Sequence, residues 1–166
     1  NPTRPLTKIP KDKRGYFLLR HGDQVDRAHA PDFTQKAFEI IVSMKRGKEK
    51  DGVLVSHGGI NSGYSLYLDD GRIVFACRNN GDLKKISSKK VLTAEKVTVT
   101  AKLRNDGHAQ VFADNQLLIQ NGSFELIKTF PQDPLEVGND SLSSVSDYQN
   151  RTKFKGEISK VLLKID

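Results

Sequence analysis

The stretch KVTVTAKLRNDGHAQVFADNQLLI (96–119) decides the fold. Val97, Val99, Ala101 and Leu103 occupy every second position with polar residues between them. A period of two places all four on one face of a strand. Asn105-Asp106-Gly107 is a turn cluster, after which Ala109, Val111 and Ala113 return along the same inward face. Asp114-Asn115 follows as a two-residue hairpin candidate, since both residues tolerate the positive φ such a turn demands. Leu117 and Ile119 begin the next strand.

The same grammar extends outward in both directions. Gly15 to Leu19 is a short strand, and Arg20 to Pro31 is polar and predicted irregular. Residues 32–46 carry two patterns: Asp32 and Gln35 have capping-box spacing, while Phe38, Ile40, Val42 and Met44 alternate. The Ile40-Ile41-Val42 run favours a strand, predicted over about 37–45. Val53 to Val55 ends at Gly58-Gly59, and Tyr64 to Leu68 meets Ile73 to Cys77 across Asp69-Asp70-Gly71. Phe154, Ile158, Val161, Leu163 and Ile165 form the last long strand. Short strands separated by turn signals, without a convincing helix, predict an all-β antiparallel sandwich. Residues 1–14, with three prolines and five Lys/Arg, are predicted as an extended lead-in to a single domain over 15–166.

Three segments in order resemble the concanavalin A-like, laminin G-type jelly rolls. The 96–119 stretch is similar to the family's central hairpins, with Asp114-Asn115 standing where the family carries Asp-Gly. PLEVGND (134–140) followed by FKGEISKVLLKID (154–166) resembles its closing strands. GVLVSHGGINSGYSLYLDDGRIVFACRNNG (52–81) resembles its early strand triplet, in the form found at the C-terminal end of some secreted bacterial sulfatases. The resemblance implies a non-catalytic accessory or recognition module, secreted or periplasmic. Its expected ligand is carbohydrate, an anionic glycan by preference. The alternative is a structural module docked on a catalytic domain of the same parent chain, such as a sulfatase or glycosidase. Such folds host many functions, so the site must be argued from its residues.

Composition bounds these expectations. At 166 residues, 36% apolar and 28% charged, the chain has the composition of one globular domain. The single Cys77 excludes an internal disulfide framework and any multi-thiolate metal site. No apolar run reaches the roughly 18 residues of a membrane helix. A net charge of +7 favours polyanionic partners. Nucleic acid is not expected, because aromatics are not interleaved with the lysines. The chain begins Asn1-Pro2 rather than with Met, and is expected to be processed or excised from a longer protein.

The chemistry-bearing residues point to binding rather than catalysis. The family's glycoside hydrolases carry Glu-x-Asp-x-x-Glu on one strand, which is missing here, and Glu136 stands alone. No Gly-x-Ser-x-Gly elbow occurs, and His21, His29, His57 and His108 fall at predicted loops or turns. No cofactor is expected. Calcium is the one metal that Asn139 and Asp140 could serve as oxygen donors, although Ser62-Gly63 replaces the Asp that laminin G-type modules place before the strand at 64–68. Tyr67, Arg78, Lys102 and Gln110 have outward parity and are expected to converge on a polar ligand. Lys84 and Lys85 head a basic cluster with Lys89 and Lys90, and Lys45, Arg46, Lys48 and Lys50 form another in a predicted hairpin loop.

Overall fold

The computed structural model describes residues 3–166. They form strands β1 (Arg4–Leu6), β2 (Phe17–Leu19), β3 (Asp23–Val25), β4 (Phe38–Lys45), β5 (Gly52–Gly58), β6 (Gly63–Asp69) and β7 (Arg72–Asn79). They continue as β8 (Asp82–Ser87), β9 (Lys96–Leu103), β10 (Ala109–Ala113), β11 (Gln116–Asn121), β12 (Leu135–Val137) and β13 (Glu157–Ile165). No helix occurs among the described residues. One sheet runs β1-β3-β12-β5-β6-β7-β8 and the other β11-β10-β9-β4-β13-β2. All pairings between neighbours are antiparallel except β1 with β3.

The alternation in 96–119 produces the predicted hairpins. Val97, Val99, Ala101 and Leu103 are buried, as are Ala109 and Val111. Asp114 and Asn115 both adopt positive φ, 48° and 67°, so the turn carries the right-handed twist of its strands. The helix pattern at 32–46 fails: β4 pairs with β9 and β13 along its whole length. In β13 the period breaks between Ile158 and Val161. A bulge sets Ser159 and Lys160 against Ser43 and restores the inward face for Val161 and Leu163.

Two expectations are corrected. The lead-in is no detached segment. β1 pairs with β3 at the sheet edge and Ile9 packs into the core, while the expectation for residues 1–2 lies outside the described residues. The stretch 20–31 is not wholly irregular, because it contains β3, which joins β1 to β12. Three-residue strands present too few alternations to be seen in sequence.

The two sheets enclose one apolar core in which Phe33, Leu66, Phe75, Leu103 and Phe154 are fully buried. Arg46, expected in a solvated basic loop, is also buried. Its guanidinium donates to Ala94 O, Leu92 O and Glu49 O at 2.7, 2.7 and 3.0 Å and ties the β4–β5 turn to the β8–β9 connection.

Candidate functional site

The outer faces of the two sheets differ in access, and that difference locates the site. On the seven-stranded sheet, Val53, Tyr67, Val74 and Ala76 point outward and are buried under Tyr148. Residues 139–151 form a strap across them. The Tyr148 ring meets Tyr67 edge-on at 4.8 Å, and the Tyr67 hydroxyl lies 2.7 Å from Ser146 Oγ. Arg78 Nε donates to Val145 O at 2.6 Å, Ser56 Oγ to Asn139 O at 2.9 Å, and Lys85 pairs with Asp147 at 2.8 Å. Arg151 reaches Asp69 at 3.1 Å and Asp51 at 3.5 Å.

Asp140 anchors the strap from beneath. Its Oδ2 accepts from Val145 N at 2.9 Å and from the Tyr148 hydroxyl at 2.6 Å. Burial pushes its carboxyl up to about 6, and the Tyr67 phenol up to about 12. Asn139 Oδ1 turns back onto Asp140 N at 2.8 Å. Glu136 is spent on Ser141 N and Oγ at 2.8 and 2.6 Å. Calcium needs six to eight converging oxygens. Asn139 Oδ1 and Asp140 Oδ2 are already engaged by protein donors, and no group of three His, Cys, Asp or Glu residues that could hold a metal occurs among the described residues.

Among the described residues, no such strap covers the six-stranded sheet. Its outward residues line up in register across the strands. One row is Leu18, Leu162, Ile41, Thr100, Phe112 and Leu117, one from each of the six strands. Leu18, Leu162, Ile41 and Phe112 are half-buried and Leu117 is exposed. The next row is Gln120, Gln110, Lys102, Glu39 and Lys164. Gln110 Nε2 donates to Gln120 Oε1 at 3.1 Å, and Lys102 Nζ pairs with Glu39 at 3.3 Å while lying 5.2 Å from the Phe112 ring centroid. The Tyr16 hydroxyl donates to Glu39 Oε1 at 2.5 Å, which raises its pKa, and Lys164 and Arg14 cover its ring. On the other side of the apolar row stand Thr98, Ser43 and Lys160, then Lys96, Lys45 and Glu157.

The expected convergence of Tyr67, Arg78, Lys102 and Gln110 therefore does not occur. Tyr67 and Arg78 lie under the strap on one sheet, whereas Lys102 and Gln110 are paired opposite one another on the other. Outward parity is a property of a single strand and cannot say to which sheet it belongs. Lys84 and Lys85 are likewise split. Adjacent residues point to opposite faces, so Lys85 meets Asp147 outside while Lys84 donates to Ser123 O at the seam between the sheets.

Sequence reasoning missed two groups, one buried and one on the open face. His57 sits in β5, not in a loop, and its ring is packed among Phe33, Phe130 and Tyr64 with neither nitrogen hydrogen-bonded. Burial lowers its pKa to about 3. Glu39 was also passed over, although its alternation with Phe38 and Ile40 signalled an outward carboxylate.

No protein-family model matches the chain, and no curated protein matches it by sequence. Solved structures do. The chain is similar to the CBM40 domain of Ruminococcus gnavus IT-sialidase bound to alpha2,3 sialyllactose, with a TM-score of 0.62 and 18% identity over 79% of this chain and 76% of that one. It is similar to mouse laminin alpha1 chain domains LG4-5, with a TM-score of 0.55 and 15% identity over 91% of this chain and 39% of that one. It is similar to a mutant of NanB sialidase from Streptococcus pneumoniae, with a TM-score of 0.64 and 13% identity over 88% of this chain and 25% of that one. The fold is thus an all-β, concanavalin A-like, laminin G-type jelly roll.

Proposed function

We propose that the domain is a non-catalytic carbohydrate-binding accessory module that prefers anionic glycans and uses the open face of the six-stranded sheet. The observation that carries this reading is the contrast between the faces: one is closed by the 139–151 strap, the other offers hydrogen-bonding rows beside an apolar row. Apolar side chains match the C–H faces of sugar rings, and flanking polar groups fix orientation. Lys102, Lys164, Lys160, Lys96 and Lys45 outnumber Glu39, Glu157 and Asp114 there, which favours negative charge on the ligand. The similar CBM40 structure holds a sialylated sugar, in agreement with this chemistry. Binding requires no metal.

The test is retention on a sulfated-glycan column. Wild type should be retained at low salt and released as salt screens the lysines over about 8–10 Å. Lys102→Ala/Gln110→Ala should elute earlier, Lys84→Ala/Lys85→Ala close to wild type, and EDTA should change nothing. A wild type that passes straight through at low salt refutes the reading.

A second reading has its own observation. Ile60 and Leu142 are 60% and 62% exposed, and Ile60 N donates at 2.8 Å to Oγ of Ser143, the chain neighbour of Leu142. Exposed apolar side chains on neighbouring loops suit docking on a catalytic domain of a longer secreted chain, a sulfatase or glycosidase. The share of the NanB sialidase chain that is covered, 25%, agrees with such a parent.

A further inference from the structure

We infer that the open face binds the interior of a linear polyanionic polysaccharide laid across the strands, not a single terminal sugar. This deepens the carbohydrate-binding reading and rests on it. The row runs from Leu18 at one sheet edge to Leu117 at the other, apolar except for Thr100, which is buried between Ile41 and Phe112. Five inter-strand steps of about 4.8 Å make it about 24 Å long, room for several sugar rings end to end. A chain-end site gathers its few polar groups around one enclosed pocket that takes the terminal residue. This face has none among its described residues. Its cations, Lys102, Lys160 and Lys164, stand along the flanks and are partly or fully exposed, spaced as a track rather than gathered at a point.

The two concavities on this side flank the row rather than interrupt it. One, about 420 Å³, lies between Lys45, Lys96, Asp114 and Glu157; the other, about 350 Å³, lies between Glu39, Lys102, Arg104 and Asp106. Both mix cations with carboxylates, so neither selects a lone anion. The arrangement fits a repeating chain whose ring faces rest on the row while its sulfates or carboxylates reach lysines on either side. A protein partner would bury these lysines at a desolvation cost. A flexible, solvated polyanion leaves them wet.

The experiment is calorimetric titration of the full chain with two size series, heparin oligosaccharides for sulfate and oligogalacturonates for carboxylate, from monosaccharide to octasaccharide. Affinity should be undetectable for the monosaccharide, rise stepwise with length, and level off once the row is filled. Phe112→Ala, whose fold is checked by circular dichroism, should weaken octasaccharide binding by about tenfold, the scale of one lost ring contact. Leu18→Ala should weaken the longest oligomers only. Whichever series binds identifies the anion. A monosaccharide that binds as tightly as the octasaccharide overturns the inference and leaves the carbohydrate reading standing. Length dependence untouched by both variants also overturns it. A wild type that binds no oligomer of either series and dimerises through this face refutes both.

Discussion

Replacing His57 with leucine, or Asp140 with asparagine, should unmask a pH dependence of stability that the wild type conceals. The His57 ring is held near 3, against an ordinary 6.5, by burial among aromatic rings. The unfolded chain takes up that proton first, so the stability His57 allows is fully present above 6.5 and is lost as pH falls toward 3. At about 1.4 kcal/mol per pH unit, the whole window amounts to about 5 kcal/mol. Asp140 acts in the opposite sense. Burial raises its carboxyl from 3.8 to about 6, so the folded state keeps the proton longer. Its contribution is fully present below 3.8 and lost as pH rises to about 6, about 3 kcal/mol in all.

Where the windows overlap, between about pH 4 and 6, the two slopes cancel. Asp12, Asp32, Asp106 and Asp147 are all shifted downward, so they titrate below it. His21, also lowered by burial, adds equally to every protein compared. Urea unfolding followed by far-ultraviolet circular dichroism at several pH values in this window provides the assay. Wild type should show only the rise with pH that His21 contributes. Relative to wild type, His57→Leu should lose about 1.4 kcal/mol per unit as pH rises, Asp140→Asn should gain as much, and the double variant should run parallel to wild type. Parallel profiles for wild type and both single variants would refute the reasoning, as would slopes of the opposite sign.

Other outcomes follow from single contacts. Arg46→Met should cost about 3 kcal/mol in the same urea assay, because three carbonyls that bridge two loops lose the charged donor of a buried side chain. Gly58→Ala should prevent folding, detected as loss of soluble protein: its φ is 116° and a Cβ there would lie 2.2 Å from Ser62 O. Tyr148→Phe removes the hydroxyl that joins Asp140 to Ser65, so the strap should become the first site of limited proteolysis.

The sequence by itself determined the sandwich. Alternation at 38–44, 97–103 and 109–111, with turn residues between, fixed which side chains face inward, since strand period is a local property of the backbone. It also carried Lys102 and Gln110 to the outer surface, where the structure sets them side by side. Only the tertiary structure decided what that surface is. Tyr67 has the same outward parity as Lys102, yet a strap more than seventy residues downstream closes over it. The row from Leu18 to Leu117 is assembled from six separate strands whose order, β11-β10-β9-β4-β13-β2, jumps back and forth along the chain. The β5 segment hid His57 because a strand buried on both faces shows no alternation. Exposure and adjacency across strands arise from contacts between residues distant in sequence, and no periodicity within one segment encodes them.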